Sequence, residues 1–301
     1  MKHIPVLLNE VLDFFSTTKS GIIIDATLGL GGHSYELLKR NRNISIIGFD
    51  KDIEALNFAN DKLSEFKGRF ELIHDSFCGI SSILKKKENI LGVLADIGVS
   101  SYQLDNINRG FGFKSSSLDM RMNLDSNITA KDIINSYTKD ELNRVFRDYG
   151  EIANYDFLST KIIHHRKMKA IETPQDFINL IPPSFNRSRN LHKATLVFQA
   201  LRIEVNNELN ELKLFLSKIQ NLKNASLAII SFHSLEDRII KNTFKQWTKN
   251  CICDKEALKC NCNAKPKGDI ITKKPLKPNE DELIANNRAR SAKMRCFRFY
   301  E

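Results

Sequence analysis

Apolar positions in the first hundred residues fall into short continuous runs, separated by stretches with helical spacing. The runs 22–25, 44–50, 70–73 and 90–97 read as strands, and 33–41, 52–65 and 77–87 carry the periodicity of helices. This alternation predicts a parallel sheet with helices on both faces. Strand runs without polar alternation are those of a sheet covered on both sides. The next convincing strand is Ser226-Leu227-Ala228-Ile229-Ile230-Ser231, much further on than one crossover requires. An insert over 105–200 is therefore expected, with residues 1–104 and 201–301 forming the first and second parts of the sheet domain. The insert reads as helical. Thr138-Lys139-Asp140-Glu141 is a capped helix start, and Leu142, Val145, Phe146 and Tyr149 follow at helical spacing. Pro174, Pro182 and Pro183 punctuate the insert, and Leu191 to Leu216 is expected to form one long helix.

In sheets of this kind ligands bind beyond the carboxyl ends of the strands. Asp25, Asp50, Asp75 and Asp96 all fall at or just past such ends, so they share one rim. The first strand runs into Asp25-Ala26-Thr27-Leu28-Gly29-Leu30-Gly31-Gly32-His33-Ser34, three glycines within four positions opening into a helix. Glycine lets the backbone approach a ligand where a Cβ would clash. Asp50 stands 18 residues past Gly32, close to the ~20 expected of a carboxylate that grips ribose hydroxyls. The pattern indicates a nucleotide-like cofactor without naming it. A dinucleotide-dependent oxidoreductase would use the same turn.

Composition narrows the setting. Hydrophobic residues at 42% and charged residues at 27% are those of a soluble globular protein. No apolar run approaches the ~20 residues that span a bilayer. The start, Met1-Lys2-His3-Ile4-Pro5-Val6, lacks the layout of a signal peptide, so no membrane association and a cytoplasmic location are expected. Net charge is +10, and it is unevenly spread. Residues 1–103 hold 12 basic against 13 acidic residues, whereas 241–301 hold 15 against 7. A neutral front and a basic tail suit a cofactor domain with a nucleic-acid surface, solubility alone being the plainer reading. Four of six cysteines cluster as Cys251-x-Cys253 and Cys260-x-Cys262. A metal clip fits them better than disulfides, but zinc pairs usually have two to four intervening residues, and no metal ligand is assigned.

Two further segments carry chemistry. Asp96-Ile97-Gly98-Val99-Ser100-Ser101-Tyr102-Gln103 leads into Arg109-Gly110-Phe111-Gly112-Phe113 and Leu118-Asp119-Met120-Arg121-Met122. Arginines and phenylalanines in this long loop suit phosphate pairing and base stacking. After the late strand come Ser231-Phe232-His233-Ser234-Leu235-Glu236-Asp237-Arg238, where Ser234 is the expected helix cap and His233 either a general base or a hydrogen-bonded structural residue.

With these blocks in view, the chain resembles the bacterial ribosomal RNA small-subunit methyltransferase H family. The resemblance runs from His3-Ile4-Pro5-Val6 to Arg290-Ser291-Ala292-Lys293-Met294-Arg295. It rests on five ordered blocks: Gly31–Ser34, Asp96–Gln103, Leu118–Met122, Phe198-Gln199-Ala200-Leu201-Arg202-Ile203, and Ser231–Arg238. Tyr102, Lys193 and the pair Ser116 and Ser117 depart from it, standing where prolines or Gly-Pro are usual.

The resemblance implies an α/β fold, a Rossmann-like class I S-adenosylmethionine-dependent methyltransferase sheet with an inserted all-helical domain for substrate recognition. It implies S-adenosyl-L-methionine as cofactor and methylation of the N4 amine of one cytidine in the decoding centre (P-site region) of 16S rRNA. The partner is then 16S rRNA within the small ribosomal subunit, with monomer and homodimer both open. Carried onto this chain, the cofactor contacts are Gly31, Gly32, His33, Asp50, Phe77, Asp96 and Gln103. Asp96 is also the expected catalytic acceptor, helped by carbonyls of the Ile97–Ser100 loop. Phe111, Phe113 and Phe232 are candidate stacking partners for the target base. The different-class alternative is a ribosome-binding assembly factor that holds the cofactor without turning it over.

Overall fold

The computed structural model describes residues 5–183, 192–251, 253, 262 and 264–301. In chain order the first elements are α1 (Leu8–Phe15), β1 (Gly21–Asp25), α2 (Gly32–Arg40), β2 (Ile44–Asp50), α3 (Ile53–Leu63), β3 (Phe70–His74), α4 (Ile80–Lys86) and β4 (Ile90–Asp96). Helices follow as α5 (Ser101–Asp105), α6 (Ala130–Ser136), α7 (Lys139–Asp148), α8 (Tyr155–Arg166), α9 (Pro174–Leu180), α10 (Thr195–Asn206) and α11 (Glu208–Ile219). The chain closes with β5 (Ser226–Ser231), α12 (Ser234–Trp247), β6 (Gly268–Ile270), α13 (Glu280–Ala285) and β7 (Lys293–Phe299). Two compact units result. One holds residues 1–98 with 211–301, the other 99–210.

The first unit is built on a seven-stranded sheet of order β3-β2-β1-β4-β5-β7-β6. Strands β1 to β5 pair in parallel, and β7 runs antiparallel to both β5 and β6. This is a doubly wound α/β sheet that ends in an antiparallel pair. Alternate residues of each strand feed two separate cores. Ile23, Ile46, Leu94, Ala228 and Ile230 pack with α1 to α3 on one face, while Ile24, Ile47, Val93, Ala95, Leu227 and Ile229 pack with α4, α11 and α12 on the other. Both faces are buried, which is why these strands read as unbroken apolar runs.

The closing strand β7 was not expected from the sequence. Its Arg295 is only 7% exposed and breaks what would otherwise read as apolar. Asp237 in the first turn of α12 neutralises it, accepting from Nε at 2.5 Å and Nη2 at 3.2 Å.

The second unit is helical, with its own core of Ile133, Ile134, Leu142, Val145, Phe146, Leu158, Ile162, Phe177, Val197 and Leu201 among others. Helices α6, α7 and α9 each start with a capping box, at Thr129, Thr138 and Thr173. The expected single helix from 191 to 216 is instead α10 and α11; Leu191 itself lies outside the described residues. The break is Asn207, at φ 50° and ψ 34°, a left-handed conformation that asparagine tolerates better than most residues. Arg202 bridges the break within this unit, donating to both carboxylate oxygens of Glu208 at 2.8 and 2.9 Å. Among the described residues no helix is long and apolar enough to cross a membrane.

Candidate active site

The rim of the first unit carries its acids at the strand ends: Asp25 closes β1, Asp50 closes β2 and Asp96 closes β4. The three differ in how they are satisfied. Asp25 is buried and committed within the protein, accepting from Ser34 Oγ at 2.6 Å and Thr27 N at 3.3 Å. Burial nonetheless pushes its carboxyl up to about 6, against those hydrogen bonds and with some help from Asp50. Asp50 accepts one backbone N–H on each oxygen, from Gly29 at 2.8 Å and Asp52 at 2.9 Å. Each carboxylate oxygen has a second lone pair, so Asp50 keeps acceptor capacity for hydroxyl groups.

Asp96 is the anomaly. Its Oδ1 is buried and, among the described residues, has no hydrogen-bond partner. Its backbone is held in place, its N–H donating to Thr27 Oγ1 at 2.5 Å and the next N–H, of Ile97, to Ile230 O at 3.0 Å. Burial, and then the negative charges of Asp25, Glu236 and Glu282, raise its carboxyl to about 8. An unsatisfied buried carboxylate is costly, and such groups cluster where a ligand completes them.

The glycine turn precedes α2. Gly31 is the N-cap residue at φ 70°, the left-handed region that favours glycine. Gly32 is small for another reason: a Cβ there would lie 2.5 Å from Pro5 Cγ. The His33 ring is 7% exposed and hydrogen-bonds Val6 O at 2.9 Å. The missing Cβ of Gly32 and the ring of His33 thus both serve the packing of the amino-terminal segment. Phe77 stands at the start of a 3₁₀ turn after β3, edge-on to Phe215 with ring centroids 5.1 Å apart. Lys51 Nζ sits 5.8 Å from its ring centroid and pairs with Glu211 at 2.5 Å. Gly31, Gly32, His33, Asp50, Phe77 and Asp96 therefore belong to one unit and its strand-end rim. Gln103 belongs to the other unit, where its carbonyl oxygen accepts from Ser100 N at 3.1 Å in a capping box.

The family model for the MraW methylase family matches residues 1–300. The chain belongs to that family. It is 49% identical over 300 residues to ribosomal RNA small subunit methyltransferase H of Campylobacter jejuni subsp. jejuni serotype O:6, covering 99% of this chain and 97% of the relative. The Helicobacter pylori (strain P12) protein of the same name is also 49% identical, with the same coverage. Among solved structures, an rRNA methylase from Streptococcus thermophilus aligns over 100% of this chain and 99% of its own, at 12% identity and a TM-score of 0.41.

As a member of this methylase family the chain uses S-adenosylmethionine as methyl donor, and hydride transfer falls away as a reading of the glycine turn. The rim fits that cofactor. Asp50 retains acceptors for ribose hydroxyls, and the lone buried Asp96 oxygen among acidic neighbours suits a cationic ligand.

Other candidates of this methylase resolve differently. Arg109 is buried and donates to the carbonyls of Arg121 and Met122 at 3.2 and 3.0 Å. Arg121 clasps Asp119 through Nε and Nη2, both at 2.8 Å, and also donates to Leu124 O and Ser126 O. These arginines build the loop instead of offering themselves to phosphate. Phe111 is 7% exposed in the helical core, which removes it as a stacking surface. His233, not Ser234, is the N-cap of α12: its Nδ1 accepts from Glu236 N at 3.4 Å, and Glu236 Oε2 accepts from His233 N at 3.1 Å. The positions that depart from the family pattern are braced by hydrogen bonds. Ser116 N and Ser117 Oγ donate to the carbonyls of Ile107 and Asn108, and Lys193 Nζ donates to Ile181 O.

Sequence reasoning missed Thr27, which anchors Asp96, and Asn206, whose side chain accepts from Met122 N and donates to Met120 O, each at 2.8 Å. Asn206 fixes Met120 at φ 63°, an uncommon conformation for methionine. The signal for Thr27 was present as Asp25-x-Thr27 at a strand end; a contact as distant in sequence as Asn206 to Met120 leaves none.

Proposed function

We propose that this methylase modifies the N4 amine of one cytidine in the decoding centre of 16S rRNA, within the small ribosomal subunit. The relatives' shared name supports the small-subunit rRNA. The observation that carries the chemistry is the buried Asp96 Oδ1 at the end of β4, without a hydrogen-bond partner among the described residues.

When bound, S-adenosylmethionine supplies a methyl group on a sulfonium, an electrophile needing no further activation. Asp50 holds the ribose hydroxyls, the turn at Gly31, Gly32 and His33 passes its backbone beneath the cofactor, and Phe77 flanks the adenine. Gln103 is retained as a contact through the family resemblance. The cytosine amine is a weak nucleophile because its lone pair is delocalised into the ring. Asp96 Oδ1, with carbonyls of the Ile97–Ser100 loop, accepts hydrogen bonds from that amine and localises the lone pair on nitrogen. Most of the acceleration is then positional. The proton leaves after the nitrogen has become cationic; the Asp96 carboxyl, its pKa raised to about 8, takes it in the ionised form that a cationic ligand beside it favours. Reaching a base in folded RNA requires splaying it from its stack, while basic residues of the carboxy-terminal segment hold nearby phosphates. The helical unit, 99–210, serves substrate recognition.

The test is methyl transfer from labelled S-adenosylmethionine to small subunits lacking the modification, followed by nucleoside analysis. N4-methylcytidine at a single decoding-centre position is expected. Tight cofactor binding with no incorporation into subunits or naked rRNA would favour the assembly-factor reading instead.

A further inference from the structure

Three cysteines outside the catalytic rim converge. The Sγ atoms of Cys251, Cys253 and Cys262 all lie within 4.8 Å of one another, and those of Cys251 and Cys262 are 3.9 Å apart. A disulfide would need about 2.05 Å between sulfurs. A tetrahedral zinc with bonds of about 2.3 Å holds its thiolates about 3.8 Å apart, close to the spacing found. Packing does not account for the cluster either, since all three residues are half-buried while Cys296 lies in the core.

The place in the fold suits a clamp. The segment leaves α12 at Trp247 and returns to β6 at Gly268, and its two ends already meet where Lys267 N donates to Trp247 O at 2.7 Å. Two of the cysteines follow the exit and one precedes the return, so a shared ion would tie both sides of the excursion together. Lys249, Lys265 and Lys267 flank the cysteines in the sequence and offset the charge of a thiolate centre. Cys260, the fourth cysteine of the pattern, lies outside the described residues.

We propose that Cys251, Cys253 and Cys262 form a structural site for a thiolate-preferring divalent cation, zinc, that closes the α12–β6 segment. The short Cys-x-Cys spacing, which argued against zinc in the sequence, is answered by the convergence of sulfurs from both pairs. Thiolate donors select zinc over magnesium or calcium, and a cysteine-rich set is typical of structural zinc sites, here with one of the four tetrahedral positions left to a further ligand.

The full chain, purified under reducing conditions without chelator from zinc-supplemented cells, should carry about one zinc per chain by elemental mass spectrometry. Cobalt exchanged into it should show thiolate-to-cobalt charge transfer and the visible bands of a tetrahedral ion. Cys251→Ser, Cys253→Ser and Cys262→Ser should each lose most of the zinc, and Cys78→Ser should keep it. Cofactor affinity, measured by calorimetry, reports whether each variant has folded. A wild-type chain that neither retains zinc nor develops the cobalt spectrum overturns the proposal. So does full zinc retention by a folded Cys262→Ser variant, or a Cys251–Cys262 disulfide trapped by alkylation in the cell.

Discussion

The backbone N–H of Asp96 donates to the hydroxyl of Thr27 at 2.5 Å, so the first turn after β1 fixes the carboxylate that ends β4. Replacing Thr27 with valine keeps the shape and removes the acceptor. The stranded N–H should cost about 1–3 kcal/mol in denaturant unfolding. Methyl transfer should fall with it, whereas Thr27→Ser should recover both. Equal stability of the valine variant and wild type would disprove this anchoring role.

Asp96 makes stability depend on pH in a definite direction. Its folded pKa, about 8, lies above the ordinary value of 3.8, so the fold prefers the neutral carboxyl. That stabilisation is complete below the unfolded pKa and is lost as pH rises through the folded one. Asp96→Asn cannot ionise. Its advantage in Tm over wild type should widen between about pH 4 and pH 8 and level off above. Parallel melting curves across that range would refute the raised pKa. Methyl transfer by the variant should drop by about 10²–10⁴.

A cationic ligand beside Asp96 favours its ionised form. Cofactor binding near pH 7 should therefore release protons, which calorimetry in buffers of different ionisation enthalpy would count. Binding should also tighten as pH rises towards about 8. The same titration on Asp96→Asn should show the release diminished. Undiminished release would assign it to another group.

The amino-terminal segment rests on the glycine turn, and Gly32 is the tightest point. A Cβ there meets Pro5 Cγ at 2.5 Å, so Gly32→Ala should displace residues 5–7 at a cost of about 1–3 kcal/mol. His33→Ala should remove about 1 kcal/mol by deleting the bond to Val6 O. Hydrogen exchange at Val6 and Leu7 should accelerate in both. Unchanged exchange would show that the segment is held elsewhere.

Asp237 and Arg295 respond to acid in the opposite sense from Asp96. Burial alone would raise the Asp237 carboxyl, but Arg295 and Lys293 prevail and hold it below the usual range. Its contribution is present above the ordinary carboxylate pKa and is lost as pH falls through the lowered one. Asp237→Ala leaves Arg295 buried without its carboxylate, a loss of about 3–5 kcal/mol by the usual cost of breaking such a pair. Unfolding curves at neutral pH measure it. Arg295→Met combined with Asp237→Leu should recover much of the loss.

The parallel strands were legible because both their faces are buried, and the rim acids because each closes an apolar run. What stayed hidden depended on pairing across long sequence distances. β7 carries an arginine that is buried only because Asp237 meets it. The loop arginines looked available to phosphate because their carbonyl partners leave no mark in composition. Asn207 looked like an ordinary position in a long helix, because a left-handed residue announces itself weakly when it is not glycine. His233 was ambiguous since imidazole is seldom the capping group, and only Glu236 three residues on hinted at it.

The sheet is interrupted in sequence, not in space, and this has a consequence for synthesis. As the chain is made, β1 to β4 emerge first, and the outer edge of β4 stays open until the whole helical unit has followed and β5 arrives to pair with it. An open strand edge is the feature most prone to pairing with another chain. The nascent protein thus passes through a stage in which a half-built sheet waits for residues 99–210 to be made. Slow translation or a destabilised helical unit would lengthen that exposure, so a substitution remote from the rim can lower the yield of active protein without altering the finished site.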